Sequence, residues 1–170
     1  NNGKGWKPIG EQNYEFYGTL DGNGYGINNL TINRTDGNNI GLIAITGDNS
    51  LVKNLALNEA YIRAGSSTGI LIGNNLGKIS NIDVNGVIKA YDGGNIGGLV
   101  GYNDHDSDDI VGVDADIVIN QSKNGEEKHY ICRGWGILGD QQGGKLGNLW
   151  GSGKINVSGD EIWGLVGTLV

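Results

Sequence analysis

Residues Gly93–Asn103 read GGNIGGLVGYN, and shorter versions of that phrase recur along the chain. NIGLIA occupies Asn39–Ala44, TGILIG Thr68–Gly73, GWGILG Gly134–Gly139 and IWGLVG Ile162–Gly167. Aligned on their central apolar pair, the copies fall at Leu42-Ile43, Leu71-Ile72, Leu99-Val100, Ile137-Leu138 and Leu165-Val166, with offsets of 29, 28, 38 and 28 residues. Self-similarity at that spacing marks a stacked-repeat architecture, in which each unit buries its apolar face against the next copy.

Two further columns lie between the copies. One is INNLTI (Ile27–Ile32), VKNLAL (Val52–Leu57), ISNIDV (Ile79–Val84), IVGVDA (Ile110–Ala115) and LGNLWG (Leu146–Gly151). A weaker one is AYIRA (Ala60–Ala64), GVIKA (Gly86–Ala90), DIVIN (Asp116–Asn120) and GKINV (Gly153–Val157). Each period is expected to hold three short strands separated by turns. Three strands in about 28 residues fit an all-β, right-handed parallel β-helix of five to six coils, whereas a propeller blade needs about 40 residues and four strands.

Strand alternation would put Leu30, Leu55, Ile82, Val113 and Leu149 on one inward ladder. Thr31, Ala56, Asp83, Asp114 and Trp150 would share an outward one. Asn29, Asn54, Asn81 and Asn148 occupy a single repeat position, broken only by Gly112, and read as scaffold. Stacked asparagine amides bond along the axis of such a fold and satisfy polar groups at a bend.

Composition agrees with that architecture. The 170 residues form one domain, with 33 glycines, 22 asparagines, one proline and no methionine. Ile, Leu and Val come in short runs bounded by Gly, Asn and Asp, and no 3.6-residue period is sustained. The segments are a first coil over 1–39, regular coils over 40–103, an insertion-bearing coil over 104–130 and Trp-rich last coils over 131–170. A formal charge of −7 argues against nucleic acid or an anionic membrane as partner, because either would need a basic face. Cys132 is alone, so no intramolecular disulfide forms. No apolar run approaches 18 residues, so membrane insertion by a helix is not expected.

The first coil contains GWKPIG at Gly5–Gly10 and FYGTLDGNGYGINNLTI at Phe16–Ile32. With the GLVG-type words and I-x-N-apolar strands that follow, the whole chain resembles the GLUG-repeat β-helix sequences of bacterial cell-surface and secreted proteins. The resemblance implies an exported, extracellular module of an adhesin-like or surface-anchored protein, and it brings no catalytic residue. The departure is the long fourth period, with insertions at Asp104–Asp109 and Gln121–Tyr130.

Three features compete for a functional role. In the insertion DHDSDD, Asp104, Asp106 and Asp108 alternate like the first ligands of a calcium loop, with Asp109 beside them. Asp109 stands where the loop's glycine belongs and Ala115 where its glutamate belongs, so a Ca²⁺ site competes with a plain solvated acidic loop. Trp135, Trp150 and Trp163 would suit glycan or host-protein binding, or would simply cover the last coils. Asp83 and Asp114 could present two carboxylates about 5 Å apart. No cationic cluster accompanies them and His105 and His129 belong to no HExxH motif, so no enzyme is expected. Four sequons, at Asn29, Asn33, Asn120 and Asn156, are set aside as chance in an Asn-rich chain, Asn29 also because it belongs to the ladder.

The chain lacks an initiating Met and stops at WGLVGTLV without a polar cap, which reads as a segment of a longer solenoid or a subunit stacking end to end. The leading expectation is a non-catalytic structural or adhesive module whose partners are neighbouring repeats or copies of itself. The alternatives are an end-to-end polymerising filament subunit and a carbohydrate-binding or carbohydrate-cleaving β-helix.

Overall fold

A computed structural model describes residues 2–91, 94–121, 133–156, 161–162 and 166–169. Among them the fold is all-β, without a helix. In chain order the strands are β1 (Thr19–Asp21), β2 (Gly26–Asn28), β3 (Thr31–Arg34), β4 (Ile43–Ile45), β5 (Leu51–Ala64), β6 (Ile72–Asn75), β7 (Lys78–Ala90) and β8 (Asn95–Gly97). Then follow β9 (Val100–Asn103), β10 (Ile110–Gln121), β11 (Arg133–Trp135), β12 (Leu138–Gln141), β13 (Leu146–Asn156), β14 (Glu161–Ile162) and β15 (Val166–Leu169).

These strands form three sheets whose named pairings are all parallel. The largest runs β1-β5-β7-β10-β13, with β2 and β3 also paired to β5. The second runs β15-β12-β9-β6-β4 and the third β14-β11-β8. From β7 onward the chain visits the sheets in a constant order, and each strand pairs with its counterpart one period on. That cyclic order is why the contacts are overwhelmingly between residues distant in sequence.

The copied words supply the second sheet, with Ile43, Ile72, Val100, Leu138 and Val166 in register. Immediately after this apolar position stand Ala44, Gly73, Gly101 and Gly139. The glycines face the backbone of the neighbouring third-sheet segment with no room for a side chain. A Cβ on Gly73 would lie 2.3 Å from the carbonyl carbon of Asn39, and one on Gly101 2.6 Å from that of Ser67. On Gly139 it would lie 2.2 Å from the Gly101 carbonyl oxygen. Glycine is required here because one backbone packs directly on another.

The core consists of ladders of inward residues. Ile32, Ile62, Ile88 and Ile119 are in register, each fully buried, and Ile155 continues the row half-buried. Leu55, Ile82, Val113 and Leu149 form a second row. β-Branched side chains suit the pleated surface, and each such burial contributes roughly 1.5–3 kcal/mol.

From β7 onward each period holds three strands, but the structure corrects which segments form them, and it corrects the first-period register. The second and third sequence columns do not form separate strands. They join into the long strands β5, β7, β10 and β13, while the third sheet is built from the short strands β8, β11 and β14, which overlap the start of the last three copied words ahead of their apolar pairs. Asn54, Asn81, Gly112 and Asn148 lie inside the second column, where their φ values of 53°, 55°, 66° and 52° turn the chain within a continuous ladder. Ile117, rather than Asp116, lies opposite Gly86.

In the first period, INNLTI resembles the later words but does not share their register. Thr31 pairs with Tyr61 and Ile27 with Leu57, so Leu30 lies beside Ala60 and outside the Leu55 row. The position opposite Ala56 belongs to Gly26, not Thr31. The cause is the preceding β1, which pairs Thr19–Asp21 with Leu51–Lys53 and uses up the places that INNLTI would otherwise fill.

The glycine column makes a directional prediction. Gly101→Ala should lower stability by about 1–3 kcal/mol through overpacking. Gly147→Ala, whose Cβ would meet only a Val111 methyl at 3.4 Å, should be neutral or slightly stabilising in the same urea denaturation series.

Candidate functional site

Asparagine side chains join successive strands in three rows and in one further pair, Asn156 to Asn120. On the outer surface of the largest sheet, the Asn81 amide donates to Asn54 Oδ1 (2.9 Å) and that of Asn54 to Asp21 Oδ1 (3.0 Å). Asp21 therefore begins this row in the place expected for Asn29. The backbone N–H of Asn29 donates instead to the Asn58 carbonyl. A second row, not anticipated from sequence, links Asn58 to Asn28 (2.9 Å) and Asn85 to Asn58 (3.3 Å). Near its other end Ser152 donates to Asp116 (3.0 Å).

The third row is buried. Thr46 donates to Asn75 Oδ1 (2.7 Å), and the Asn75 amide donates to Asn103 Oδ1 and the Gly77 carbonyl (2.7 Å each). Asn103 in turn donates to Ser107 Oγ (2.6 Å) and the Gly143 carbonyl (2.9 Å). Gln141 also donates to Gly143. These side chains fasten the corners that follow each copied word, where backbone groups would otherwise go unpaired. The available signal was positional: Asn75 and Asn103 both stand three places after the second residue of the apolar pair.

Asp21 has the clearest electrostatic environment. The Asn23 backbone N–H, then the Asn54 amide, hold its carboxyl below the usual carboxylate range, with Lys53 Nζ 3.3 Å away adding to the effect. Tyr102 moves the other way, because burial and then the Asp104 and Asp140 carboxylates disfavour its phenolate.

The acidic insertion is tied to its neighbours. Asp104 Oδ1 lies 2.5 Å from His105 Nδ1, and Asp106 Oδ2 lies 3.2 Å from His105 Nε2. One ligand atom from each of these three residues falls within 4.8 Å of the others. Asp108 is exposed and its N–H donates to the Leu76 carbonyl, while Asp109 accepts from the Lys145 N–H at 2.9 Å. The loop thus gathers Asp104 and Asp106 around a histidine and commits one Asp109 oxygen to the adjacent strand. As metal donors the trio is an open, solvated set of two carboxylates and an imidazole, two of its three members exposed.

Trp150 projects from β13 with 71% of its surface exposed, in register with Asp114, which in turn faces Asp83. Trp135 lies in β11 with its backbone opposite Gly97. Trp163 lies outside the described residues, as do 122–130 of the second insertion. The structure brings Asp83, Asp114 and Trp150 onto one outward row and leaves the acidic loop on a different stretch of chain.

No protein-family model and no solved structure matches this chain. Similar proteins include one of Evansella cellulosilytica, described as a Gly-rich membrane protein, which is 49% identical over 85 residues. That match covers 48% of this chain and 10% of the relative. Another is a protein of Haloquadratum walsbyi named Halomucin, 37% identical over 102 residues, covering 59% of this chain and 1% of the relative. The chain thus corresponds to a small part of each. The relatives' names fit a protein of the cell surface or membrane.

The Asp21 environment predicts an acid-dependent loss of stability. A carboxyl whose folded pKa is depressed stabilises the fold above its unfolded value, near 3.8, and that stabilisation fades as pH falls through the folded value. Melting curves should show wild type above Asp21→Ala at pH 6, with the gap narrowing steadily below about pH 4.

Proposed function

We propose that this chain is a non-catalytic scaffold module of a much larger exported surface protein, folded as a right-handed parallel β-helix of the GLUG-repeat type. The carrying observation is the pairing of each strand with its counterpart one period on, through register-matched rows of isoleucine and asparagine. A right-handed path follows from the strong preference of parallel crossovers. Such a column resists bending because each repeat is bonded across its whole width to the next.

The similarity to short stretches of two larger proteins, one named as a membrane protein, supports an extracellular, surface-attached setting. Neighbouring repeats of the same chain are the natural partners, because a parallel edge accepts another strand of the same pattern. The outward rows of Asn, Asp and Ser keep the column hydrated and adhesive at most through side-chain contacts.

Small-angle scattering on the 170-residue chain and on a two-copy tandem tests this reading. The tandem should be a rod of unchanged cross-section and greater length, and incubation with a panel of plant, bacterial and animal polysaccharides should release no reducing ends. A globular tandem would overturn the rigid-module reading. New reducing ends would overturn its non-catalytic part, and concentration-dependent fibres of the single chain would replace the module by a filament subunit.

A further inference from the structure

We propose that Asn29 carries an N-linked glycan, a modification that rests on the export proposed above. The residues Asn29-Leu30-Thr31 form an acceptor sequon. Chance in an Asn-rich chain and membership of the asparagine ladder both speak against it from sequence, and the structure removes the second of these reasons. Asp21 occupies the ladder position, and the side-chain amide of Asn29 makes no hydrogen bond among the described residues. Asn29 and Thr31 are both exposed, on either side of the buried Leu30.

The other sequons are placed differently. The Asn156 amide donates to Asn120 Oδ1 at 2.8 Å, so a glycan on either would crowd a pair that joins β10 to β13. Asn33 is half-buried, and its amide points to the Gly3 carbonyl at 3.5 Å. A glycan sits without cost in the folded chain only where the asparagine faces solvent and serves no neighbour. Asn29 satisfies both conditions.

The surroundings of Asn29 also offer the first sugar a seat. Asn29 lines an open trough of about 700 Å³ with Trp6, Ile27, Leu30, Thr31 and Arg34. The Trp6 indole is anchored by its Nε1–H to the Leu42 carbonyl (3.0 Å), yet 42% of the residue's surface stays exposed. An indole with its N–H satisfied and part of its apolar surface free suits the C–H face of a pyranose.

The donor is an oligosaccharide linked through its anomeric carbon to a polyprenyl phosphate or diphosphate. Asn29 Nδ2 forms a bond to that carbon and loses one proton. The anomeric C–O bond to phosphate breaks, and the polyprenyl phosphate or diphosphate, whichever carried the sugar, leaves with the electron pair. No oxidation or reduction is involved.

The test is secretion of the full 170-residue chain from a eukaryotic host that N-glycosylates, followed by intact mass and peptide mapping with endoglycosidase. One glycan is expected at Asn29. It should disappear in Asn29→Gln and Thr31→Ala, persist in Thr31→Ser, Asn33→Gln and Asn120→Gln, and leave the circular dichroism spectrum unchanged. A secreted chain bare at Asn29, or glycosylated at Asn33, Asn120 or Asn156 in its place, would overturn the assignment. Fractionation of the native cells tests export separately: a protein found only inside the cell would overturn export, while the secretory host still decides the site.

Discussion

The structure depends on a place where two backbones touch with nothing between them. After the apolar pairs of the second, third and fourth copied words, Gly73, Gly101 and Gly139 lie against main-chain atoms of the neighbouring third-sheet segment, closer than any Cβ tolerates. That contact brings the second and third sheets together at a corner too tight for side chains. Once the corner is set, the apolar pair points into a narrow interior, and Ile43, Ile72, Val100 and Leu138 stack one above another. Lateral cohesion then comes from backbone ladders and rows of identical side chains, a geometry that packs well because each row repeats one shape.

Asparagine solves the complementary problem of turning a chain without wasting hydrogen bonds. Asn54, Asn81 and Asn148 adopt the left-handed conformation that asparagine and glycine accept most readily, which also accounts for Gly112 in the same column. The Asn81 and Asn54 side chains then bond to the preceding strand. Inside the protein, Thr46, Asn75 and Asn103 form a row that would be costly if any member lacked a partner, and each has one. The result is a set of parallel sheets whose buried polar side chains hold the turns in place, while the outer rows stay available to solvent.

The copied word exposed the parallel repeat because its register depends on a local steric requirement written in glycine. The apolar pairs chosen from the sequence are the ones that align in the second sheet. The first period was less legible. INNLTI shares its pattern with VKNLAL, but pattern alone does not reveal that β1 has already taken the places opposite Leu51–Lys53. Asn29 was therefore assigned to a ladder that Asp21 begins. The buried Asn75–Asn103 row was visible only as two more asparagines in a chain with 22 of them. The acidic loop shows a similar limit: alternation of aspartates in sequence says nothing of His105 between two carboxylates, or of Asp109 turned to Lys145.

A disulfide trap tests the central claim, the one-period register of the largest sheet, most directly. In a Cys132→Ser background, Asp83→Cys with Asp114→Cys places two thiols on facing positions of β7 and β10, at a separation a disulfide accepts. Asp83→Cys with Ala115→Cys places them on opposite faces of the sheet. The first pair should oxidise rapidly to an intramolecular disulfide, and the second should keep its thiols free. Cross-linking of the second pair without the first would contradict the register on which the whole fold rests.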